Sequence, residues 1–522
     1  MAETLQQLLR ERLQQDTPAL KYGERVWTWR QHLAEAASTA AAVLRVADPK
    51  RPLHVGALLG NTPEMLTAMA SAALGGYVLC GINDTRRGDA LVRDIIKADC
   101  QILLTDPAHQ NLLAGLDLPG VQVFDVSGDS WLGRLQSAGP LIPHREVVPT
   151  DTFMMIFTSG TSGEPKAVQV PHLPVVFAGS TLTTRFRIGV DDVCYLSMPL
   201  FHSNALMAGW SVAVSSGAAM VPATFSASGL LSDLRRYGVT YMNYVGKPLA
   251  YVLATPERPD DHDNPLRVAM GNEGSERDVA EFGRRFGCTA WDGFGSTEGA
   301  IIITREDGCP PGSLGKGFPG VSIYNPDTLE ECPAAVFTDN GVLANADEAI
   351  GELVNTAGAG MFAGYYNDRE ATDARIRNGI YWSGDLAYKD ADGWIYFAGR
   401  SGDWLRVDGE NMTTAPIERI LQRLTAVSHV AVYAVPDENV GDQVMAAIML
   451  QDGAELTPEE FGQFLAAQPD LSPKAWPRYV WITDRLPMTA TNKILKRELA
   501  ARGANPDGGV LWTRDGRSKE YR

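Results

Sequence analysis

The sequence predicts an α/β protein in which a large amino-terminal domain precedes a smaller α/β domain. Over the first 150 residues, segments with helical spacing alternate with short apolar runs, which is typical of parallel strands covered by helices. Beyond residue 310 the glycines and prolines become denser, which indicates a small β subdomain. After residue 402 the pattern of a compact α/β unit returns. We therefore predict domains at residues 1–402 and 403–522.

Helices and strands alternate in the amino-terminal part. Residues 4–15 and 28–45 carry apolar side chains at helical spacing, so both segments are predicted helices. Residues 53–59 and 100–104 are short apolar runs with the length of buried strands. The same strand pattern recurs at residues 151–157, 193–196, 240–244 and 266–270. This order predicts two layered α/β subdomains.

The last third of the chain divides into two predicted parts. Two strands at residues 351–355 and 393–398 belong to the small β subdomain. The carboxyl-terminal unit has predicted helices at 416–423 and 457–466 and predicted strands at 429–435 and 443–450. Gly402 lies between the two parts. Because glycine absorbs large backbone rotations, we predict a hinge at this residue.

Charge and composition exclude several classes of protein. The net charge of −17 disfavours a nucleic-acid partner, which requires a basic face, and gives no support for docking to anionic lipid. The polar amino terminus is not a secretory signal, and the apolar stretches 69–82 and 212–221 are too short to span a membrane. None of the six cysteines forms a CxxC pair, so we expect reduced thiols and no structural zinc. These features predict a cytoplasmic protein without a transmembrane segment.

A loop rich in hydroxyl groups and glycine follows the apolar run 153–157. Its residues are Thr158, Ser159, Gly160, Thr161, Ser162, Gly163, Glu164, Pro165 and Lys166. Backbone N–H groups, hydroxyls and one ammonium gathered in a short turn are what a polyphosphate needs. The Walker pattern GxxxxGK[ST] is absent. The loop is therefore predicted to bind phosphate, and a solvated surface turn is the alternative.

The loop resembles the signature loop of the adenylate-forming superfamily, which comprises acyl-CoA synthetases, adenylation domains of peptide synthetases and firefly-type luciferases. Further segments match the family in the same order. They are Gly271-Asn272-Glu273-Gly274, Phe294-Gly295-Ser296-Thr297-Glu298, Trp382-Ser383-Gly384-Asp385, Arg400, Gly409-Glu410-Asn411 and the segment 487–496. The resemblance covers nearly the whole chain. It implies the adenylate-forming fold, a mobile carboxyl-terminal lid domain and ATP as a substrate.

The resemblance assigns several residues to the nucleotide. The ring of Phe294, next to Gly295, would stack on adenine, although the family usually has tyrosine there. Thr297 would contact the α-phosphate. Glu298 would hold Mg²⁺, since a hard cation prefers carboxylate oxygen. The turn forming the other wall of the adenine slot consists of Gly271, Asn272 and Glu273.

Other matches concern the ribose, coenzyme A and the catalytic cation. Asp385 and Arg400 would contact the ribose hydroxyls. Gly402 stands where the family usually has an aspartate or lysine hinge. The loop that lines the coenzyme A tunnel after the lid rotates contains Gly409, Glu410 and Asn411. Lys493 matches the catalytic lysine, which touches the substrate carboxylate and the α-phosphate.

The segments 199–204, 225–228, 241–256 and 402–411 resemble the fatty acid transport protein and very-long-chain acyl-CoA synthetase branch. That branch has bacterial relatives that activate fatty or steroid side-chain acids. His202 matches a residue near the entrance of the acyl pocket, where its imidazole either gates the substrate carboxylate or packs as a neutral ring. Candidates for an apolar acyl pocket, each with core packing as the alternative, are Phe201, Leu206, Trp210, Tyr244 and Val245.

Together these features predict an AMP-forming acyl-CoA ligase. It would use ATP, Mg²⁺ and coenzyme A to activate a long- or very-long-chain fatty acid or a steroid side-chain acid. Its catalytic residues would be Lys493, Thr297, Glu298 and His202. The alternatives are a fatty acyl-AMP ligase that loads a carrier protein and a non-catalytic acyl or nucleotide binder. A homodimer is compatible with the sequence.

Overall fold

The computed structural model describes residues 2–159, 165–306, 308–400, 404–407, 410–437, 441–488, 494–515 and 518–522. The chain separates into two compact units. The first comprises Met1–Gly274, Asp278–Ala300 and Ala359–Arg375. The second comprises Ser275–Arg277, Ile301–Gly358 and Ile376–Arg522. The predicted domain boundary near residue 402 falls inside the second unit and stays a prediction.

The secondary structure of the described residues is as follows. The strands are β1 (Pro18–Tyr22), β2 (Arg25–Thr28), β3 (His54–Leu58), β4 (Val78–Gly81), β5 (Ile102–Thr105), β6 (Gln122–Asp125), β7 (Thr152–Ser159), β8 (Pro165–Pro171), β9 (Val193–Leu196), β10 (Ala219–Pro222), β11 (Tyr241–Val245), β12 (Val268–Asn272), β13 (Thr289–Asp292), β14 (Ile303–Thr304), β15 (Ser313–Gly317), β16 (Val321–Tyr324), β17 (Gly351–Asn355), β18 (Ile376–Arg377), β19 (Ile380–Lys389), β20 (Trp394–Arg400), β21 (Trp404–Val407), β22 (Glu410–Thr413), β23 (Val427–Asp437), β24 (Gly441–Leu450), β25 (Tyr479–Ile482) and β26 (Val510–Thr513). The helices are α1 (Leu5–Arg10), α2 (Trp29–Val46), α3 (Pro63–Gly75), α4 (Gly88–Lys97), α5 (Asp129–Ser137), α6 (His172–Phe186), α7 (Ser203–Ala205), α8 (Ser211–Ser216), α9 (Leu230–Tyr237), α10 (Gly246–Leu253), α11 (Glu276–Phe286), α12 (Ala346–Ala349), α13 (Arg369–Arg375), α14 (Thr414–Leu421), α15 (Pro458–Ala466) and α16 (Lys496–Arg502). A π-helical turn at Leu206–Trp210 joins α7 to α8.

Two mostly parallel sheets form the first unit. Their strand orders are β6-β5-β3-β4-β7-β8 and β13-β12-β11-β9-β10-β1-β2. Each sheet ends in one antiparallel pair, β7 with β8 and β1 with β2. All residues of β3, β4 and β5 are buried, as expected for parallel strands covered on both faces. The predicted pair of layered α/β subdomains is confirmed.

The ends of the helices follow local sequence signals. Helix α2 begins after a capping box, in which the Thr28 hydroxyl accepts from the Gln31 backbone and the Gln31 side chain accepts from the Thr28 backbone. Helix α3 begins with Pro63 and ends at Gly75; the next residue, Gly76, caps it with a φ of 72° in the left-handed region. Such signals explain why the predicted helix at 28–45 agrees closely with α2.

The predicted helix over residues 4–15 is too long, because α1 ends at Arg10. The chain continues in single turns. The buried Arg12 guanidinium donates to the backbone oxygens of Val214 and Ser215, at 2.7 Å in both cases. This tertiary contact wins over the helical propensity of the segment.

Two further sheets form the second unit. One is antiparallel, with the order β14-β15-β20-β19-β17-β16 and with β18 paired to β19. The other has the order β22-β21-β24-β25-β26, with β23 paired to β24, and packs on α14 and α15 around a core that includes Phe461. The small β subdomain and the carboxyl-terminal α/β unit were both predicted. Across the described ranges, no helix is long and apolar enough to cross a bilayer.

Candidate active site

The predicted phosphate loop joins the two strands of a hairpin. Strand β7 pairs antiparallel with β8, and Thr158 lies opposite Lys166 in the register. Both residues therefore stand at the end of a fixed strand pair. The loop residues Gly160, Thr161, Ser162 and Gly163 lie outside the described residues, as does the side chain of Ser159.

Lys166 and Glu298 meet at the same tyrosine. The Tyr365 hydroxyl donates to Glu298 Oε1 at 2.9 Å. The Lys166 ammonium lies over the Tyr365 ring, 5.0 Å from its centroid. Arg375 Nε donates to the same hydroxyl at 3.3 Å. Two motif residues that are distant in the sequence thus share one buried aromatic side chain.

Thr297 is held by the loop that follows β9. Its hydroxyl donates to Ser203 Oγ at 3.0 Å. Ser203 begins the short helix α7, directly after His202. The contact orients the hydroxyl that the family resemblance assigns to the α-phosphate, and this role stays a prediction.

Three asparagines tie the same loop to the ends of β11 and β12. Asn204 Nδ2 donates to the Tyr244 backbone oxygen at 2.9 Å and to Asn272 Oδ1 at 2.6 Å. Asn243 Nδ2 donates to Asn204 Oδ1 at 2.8 Å. Asn272, a predicted wall of the adenine slot, is therefore positioned by a side chain from α7.

The turn after β12 requires close backbone approaches. A Cβ at Gly271 would lie 2.4 Å from the Tyr244 backbone oxygen, and one at Gly246 would lie 1.9 Å from the Glu273 backbone oxygen. Glu273 itself adopts φ of 63°. Only glycine fits at Gly271 and Gly246 without displacing this turn. In the neighbouring motif Phe294 is half-buried and Gly295 is exposed.

The predicted acyl-pocket residues lie on or near a π-helical turn. Phe201, Leu206 and Trp210 are buried, and Leu206 and Trp210 bound the π-turn. The Trp210 ring stacks on Phe153 at a centroid distance of 5.6 Å. A π-turn widens a helix locally and is frequent at functional sites.

Tyr244 and Val245 close β11, next to that turn. The Tyr244 side chain is fully buried, and its hydroxyl lies within hydrogen-bond distance of two acceptors, the Trp291 backbone oxygen at 2.8 Å and Asp292 Oδ2 at 3.1 Å. Val245 is partly buried. For all five residues the acyl-pocket role stays a prediction.

The surroundings of the His202 imidazole favour its uncharged form. Its Nε2 is buried and, within the described ranges, has no hydrogen-bond partner. Burial lowers the pKa of His202 to about 4. The ring lies against Phe201 at a centroid distance of 4.5 Å. The environment thus favours the neutral ring, the second of the two alternatives for this residue.

Asp385 and Arg400, the predicted ribose residues, lie opposite each other in the second unit. They are partners in the β19–β20 register, and Arg400 Nε is 3.5 Å from Asp385 Oδ1. The Asp385 backbone N–H donates to Ser383 Oγ at 3.0 Å, and the Ser383 hydroxyl donates to the Leu353 backbone oxygen at 2.6 Å. The structure therefore brings this predicted pair together.

The predicted lid residues are only partly described. Glu410 and Asn411 lie in β22, paired with Val407 and Arg406 of β21. Gly402, Gly409 and Lys493 lie outside the described residues. Their roles stay predictions.

The residues present fit Mg²⁺ bound together with ATP. Among the side chains that the structure describes, no group of three or more histidines, cysteines and carboxylates is placed to hold a metal ion. Mg²⁺ in nucleotide sites uses one or two carboxylates together with phosphate oxygens and water. Glu298 supplies one carboxylate, which the hydrogen bond from Tyr365 orients without neutralising it.

Sequence reasoning missed the supporting residues. Ser203 and Asn204 lie inside a segment that marks the family branch, but their partners, Thr297 and Asn272, come from distant parts of the sequence. Tyr365 lies in no motif singled out above. The only sequence signal for it is the aromatic pair Tyr365-Tyr366 after Gly364.

Comparison with known proteins identifies the family. Residues 9–366 match the AMP-binding enzyme model, and residues 416–493 match the AMP-binding enzyme C-terminal domain. The chain belongs to the AMP-binding enzyme family. The predicted membership in the adenylate-forming superfamily is thereby confirmed.

Named relatives place this AMP-binding enzyme in the predicted branch. It is 52% identical over 487 residues to the medium/long-chain-fatty-acid–CoA ligase FadD17 of Mycobacterium marinum, covering 93% of each chain. It is 44% identical over 505 residues to the steroid-22-oyl-CoA synthetase of Rhodococcus jostii, covering 95% of this chain and 90% of that one. It is 29% identical over 537 residues to the human long-chain fatty acid transport protein 5, covering 95% and 75%.

A solved structure shares the fold of this AMP-binding enzyme. ATP-bound MatB from Rhodopseudomonas palustris aligns with a TM-score of 0.81 and 22% identity, covering 96% of this chain and 99% of that one. The predicted adenylate-forming fold is thereby confirmed.

Proposed function

We propose that this AMP-binding enzyme is an AMP-forming acyl-CoA ligase that acts on a fatty acid or a steroid side-chain acid. The observation that carries the proposal is the meeting of Lys166 and Glu298 at Tyr365, because it joins a phosphate-binding cation to a metal-binding carboxylate. The bacterial relatives, a medium/long-chain-fatty-acid–CoA ligase and a steroid-22-oyl-CoA synthetase, support the class of acid.

In the first half-reaction, a carboxylate oxygen of the acid bonds to the α-phosphorus of ATP and the bond to pyrophosphate breaks. Lys166 attracts the phosphates, and the Thr297 hydroxyl, held by Ser203, faces the α-phosphate. Lys493 stabilises the charge that develops on the reacting oxygens. Glu298 would hold Mg²⁺, which would neutralise charge on the polyphosphate.

In the second half-reaction, the sulfur of coenzyme A bonds to the acyl carbon. The bond to AMP breaks, and the thiol proton passes to solvent. The carboxyl-terminal domain rotates about Gly402 between the two steps, which removes Lys493 and brings in the Gly409–Asn411 loop. Asp385 and Arg400 keep hold of the ribose throughout.

The neutral His202 ring and the buried residues of the π-turn suit an apolar acid. An uncharged imidazole leaves no fixed cation beside the acyl chain. Phe201 and Trp210 offer apolar area of the kind that lines small-molecule sites.

The test is a panel of acids with two readouts. Purified protein is supplied with ATP, Mg²⁺ and medium-, long- and very-long-chain fatty acids, steroid side-chain acids and aromatic acids. Pyrophosphate release measures the first step, and coenzyme A-dependent AMP release measures the second. Fatty or steroid acids should support both. AMP release that requires a carrier protein would favour the acyl-AMP ligase, and no pyrophosphate with any acid would favour the non-catalytic binder.

The catalytic lysine is tested by Lys493→Ala. Pyrophosphate release should fall by roughly two to three orders of magnitude. Thioester formation from supplied acyl-adenylate should be largely spared, because the lysine has left the site by then. Lys519→Ala, in the same domain, serves as the control for loss of one positive charge. Equal loss in both steps would contradict the role of Lys493.

Location and assembly complete the proposal. A cytoplasmic location is part of the proposal, and cell fractionation tests it. A homodimer is part of the proposal, and light scattering of the purified protein tests it.

A further inference from the structure

We propose that Tyr365 is a positioning residue that sets the spacing between the metal-binding carboxylate and the phosphate-binding lysine. Its hydroxyl orients the Glu298 carboxylate, and its ring positions the Lys166 ammonium through a cation–π contact. The proposal rests on the proposed function, which assigns Mg²⁺ to Glu298 and the ATP phosphates to Lys166. Tyr365 lies outside the segments singled out in the sequence analysis.

Tyr365 uses both of its chemical faces. The hydroxyl donates to Glu298 Oε1 at 2.9 Å, and a hydrogen bond to an ionised acceptor is stronger than one between neutral groups. The Lys166 ammonium lies 5.0 Å from the ring centroid, which is within cation–π range. One side chain thus contacts the predicted ligands of both the metal and the phosphates.

The backbone at Tyr365 is tied to the strand that carries Lys166. Tyr365 forms an antiparallel bridge with Val168 of β8. On either side of it, Tyr366 N–H donates to the Ala167 backbone oxygen at 2.8 Å, and Gln169 N–H donates to the Gly364 backbone oxygen at 3.1 Å. Residues 364–366 therefore extend the edge of the sheet beside β8, and the Tyr365 backbone cannot shift without breaking these bonds.

Side-chain contacts fix the orientation of the residue as well. The Tyr365 N–H donates to Thr372 Oγ1 at 2.9 Å. The Phe362 ring packs edge-on against the Tyr365 ring at a centroid distance of 5.0 Å. Only 4% of Tyr365 is exposed. A rotamer held this firmly loses little entropy when ligands bind.

Arg375 completes a chain of donors. Arg375 Nε donates to the Tyr365 oxygen at 3.3 Å, and the Tyr365 hydroxyl donates to Glu298. Hydrogen bonds arranged in series polarise each other in the same direction.

The two faces of the side chain can be separated by substitution. Tyr365→Phe keeps the ring and its packing but removes the hydroxyl. Tyr365→Leu removes the ring as well. A positioning role predicts that the hydroxyl affects the metal and that the ring affects ATP itself, whereas simple core packing predicts one uniform loss.

The first measurement is ATP binding by calorimetry, with Mg²⁺ and with a chelator. In Tyr365→Phe, affinity for ATP without metal should match the wild type. The gain in affinity that Mg²⁺ provides should shrink by about tenfold, since a hydrogen bond to a charged group is lost. In Tyr365→Leu, the affinity for ATP without metal should also fall severalfold, because the ring that contacts the Lys166 ammonium is removed.

The second measurement is the dependence of each half-reaction on Mg²⁺. In Tyr365→Phe, the Mg²⁺ concentration for half-maximal pyrophosphate release should rise by about tenfold, and high Mg²⁺ should restore the rate. Thioester formation from supplied acyl-adenylate should be unchanged, because the polyphosphate has left by then.

Tyr366→Phe is the matched control. The Tyr366 hydroxyl contacts Asp99 Oδ2 at 3.4 Å, and its ring packs against His54 at a centroid distance of 4.9 Å. The same atom is deleted from the adjacent residue, away from Glu298. This variant should keep the wild-type dependence on Mg²⁺.

Two results would overturn the proposal. One is a Tyr365→Phe protein with wild-type Mg²⁺ dependence in calorimetry and in pyrophosphate release. The other is an equal loss of ATP binding with and without metal, accompanied by loss of the supplied-adenylate reaction. If the wild type binds Mg-ATP but releases no pyrophosphate with any acid, the proposed function fails while calorimetry still decides the role of Tyr365.

Discussion

The two sides of the loop after β9 satisfy their polar groups very differently. On the phosphate side, Thr297 bonds to Ser203, and Tyr365 bonds to Glu298. On the apolar side, defined here by His202, Trp210 and Asn243, three buried polar atoms lack a hydrogen-bond partner within the described residues. They are His202 Nε2, Trp210 Nε1 and Asn243 Oδ1.

This difference distinguishes polar groups that are held in place by hydrogen bonds from buried polar atoms that lower the stability of the fold. Polar groups that bond to one another are held in place, as charge stabilisation requires. A buried polar atom without a partner costs about 1–3 kcal/mol, and native proteins accept this mainly where function demands it. We infer that the phosphate side is rigid and that the apolar side holds polar atoms at some cost to stability. Each prediction below tests one side against the other.

The largest expected effect is on stability, from Trp210→Ala on the apolar side. Trp210 is fully buried and stacks on Phe153. Its removal leaves a large cavity, and the free energy of unfolding should fall by about 3–5 kcal/mol. Urea unfolding followed by circular dichroism measures this. Leu173→Ala, at a residue that is 38% exposed, is the control and should change little. A loss below about 1 kcal/mol for Trp210→Ala would show that its packing matters less than its burial indicates.

On the phosphate side, Glu298→Gln should act on catalysis. The amide still accepts from Tyr365, so the fold is retained, but the negative charge for Mg²⁺ is gone. Pyrophosphate release should fall by about 100- to 1,000-fold, by analogy with loss of one charge-stabilising group. Thioester formation from supplied acyl-adenylate should persist. Glu24→Gln, at an exposed carboxylate, controls for the charge change. Persistence of wild-type pyrophosphate release would remove Glu298 from the mechanism.

The apolar side should also be sensitive to acid. Burial lowers the pKa of His202 to about 4, and the pKa of His32, in the core of the same unit, also to about 4. An unfolded histidine has a pKa of about 6.5, so between pH 4 and 6.5 the unfolded chain binds more protons. Stability therefore falls as pH decreases through this window, by about 3 kcal/mol for each histidine, and is unaffected by them above it.

Variants isolate the two histidines from other acid effects. His32→Leu and His202→Leu should each flatten the decline of the urea midpoint between pH 6.5 and 4 relative to wild type. Parallel slopes for wild type and His32→Leu would show that His32 titrates equally in both states.

Sequence alone predicted the motif residues but not what holds them. The sequence reveals Lys166, Thr297 and Glu298 because each belongs to a short motif of consecutive residues. Tyr365 was missed because its role depends on the pairing of residues 364–366 with β8, and no local pattern encodes a long-range register. Asp385 and Arg400 were predicted, but their placement opposite each other follows from the β19–β20 register.

The elements show the same limit. Helix α2 was predicted well because its capping box is local, whereas α1 ends early because Arg12 is drawn to the backbone of residues 214–215. Buried strands were found from apolar runs alone. The orphaned polar atoms of the apolar side were not foreseen, because an unmet hydrogen bond exists only once the chain is packed.

The smallest expected difference in stability is between variants of Asn204 and Asn243, two of the three asparagines at the ends of β11 and β12 and in α7. Asn204→Leu removes donors to the Tyr244 backbone oxygen and to Asn272 Oδ1, and also the acceptor for Asn243. Several part-buried groups lose their partners, so unfolding should become easier by about 2–3 kcal/mol.

The same substitution at the neighbouring asparagine, Asn243→Leu, should lower the free energy of unfolding by only about 1 kcal/mol. It removes one hydrogen bond together with an oxygen that already lacks a partner among the described residues. Urea midpoints of the two variants, measured side by side, give the difference directly. If Asn243→Leu proves the more destabilising, its Oδ1 is satisfied in solution. The apolar side would then be as well bonded as the phosphate side, and the contrast between them would not hold.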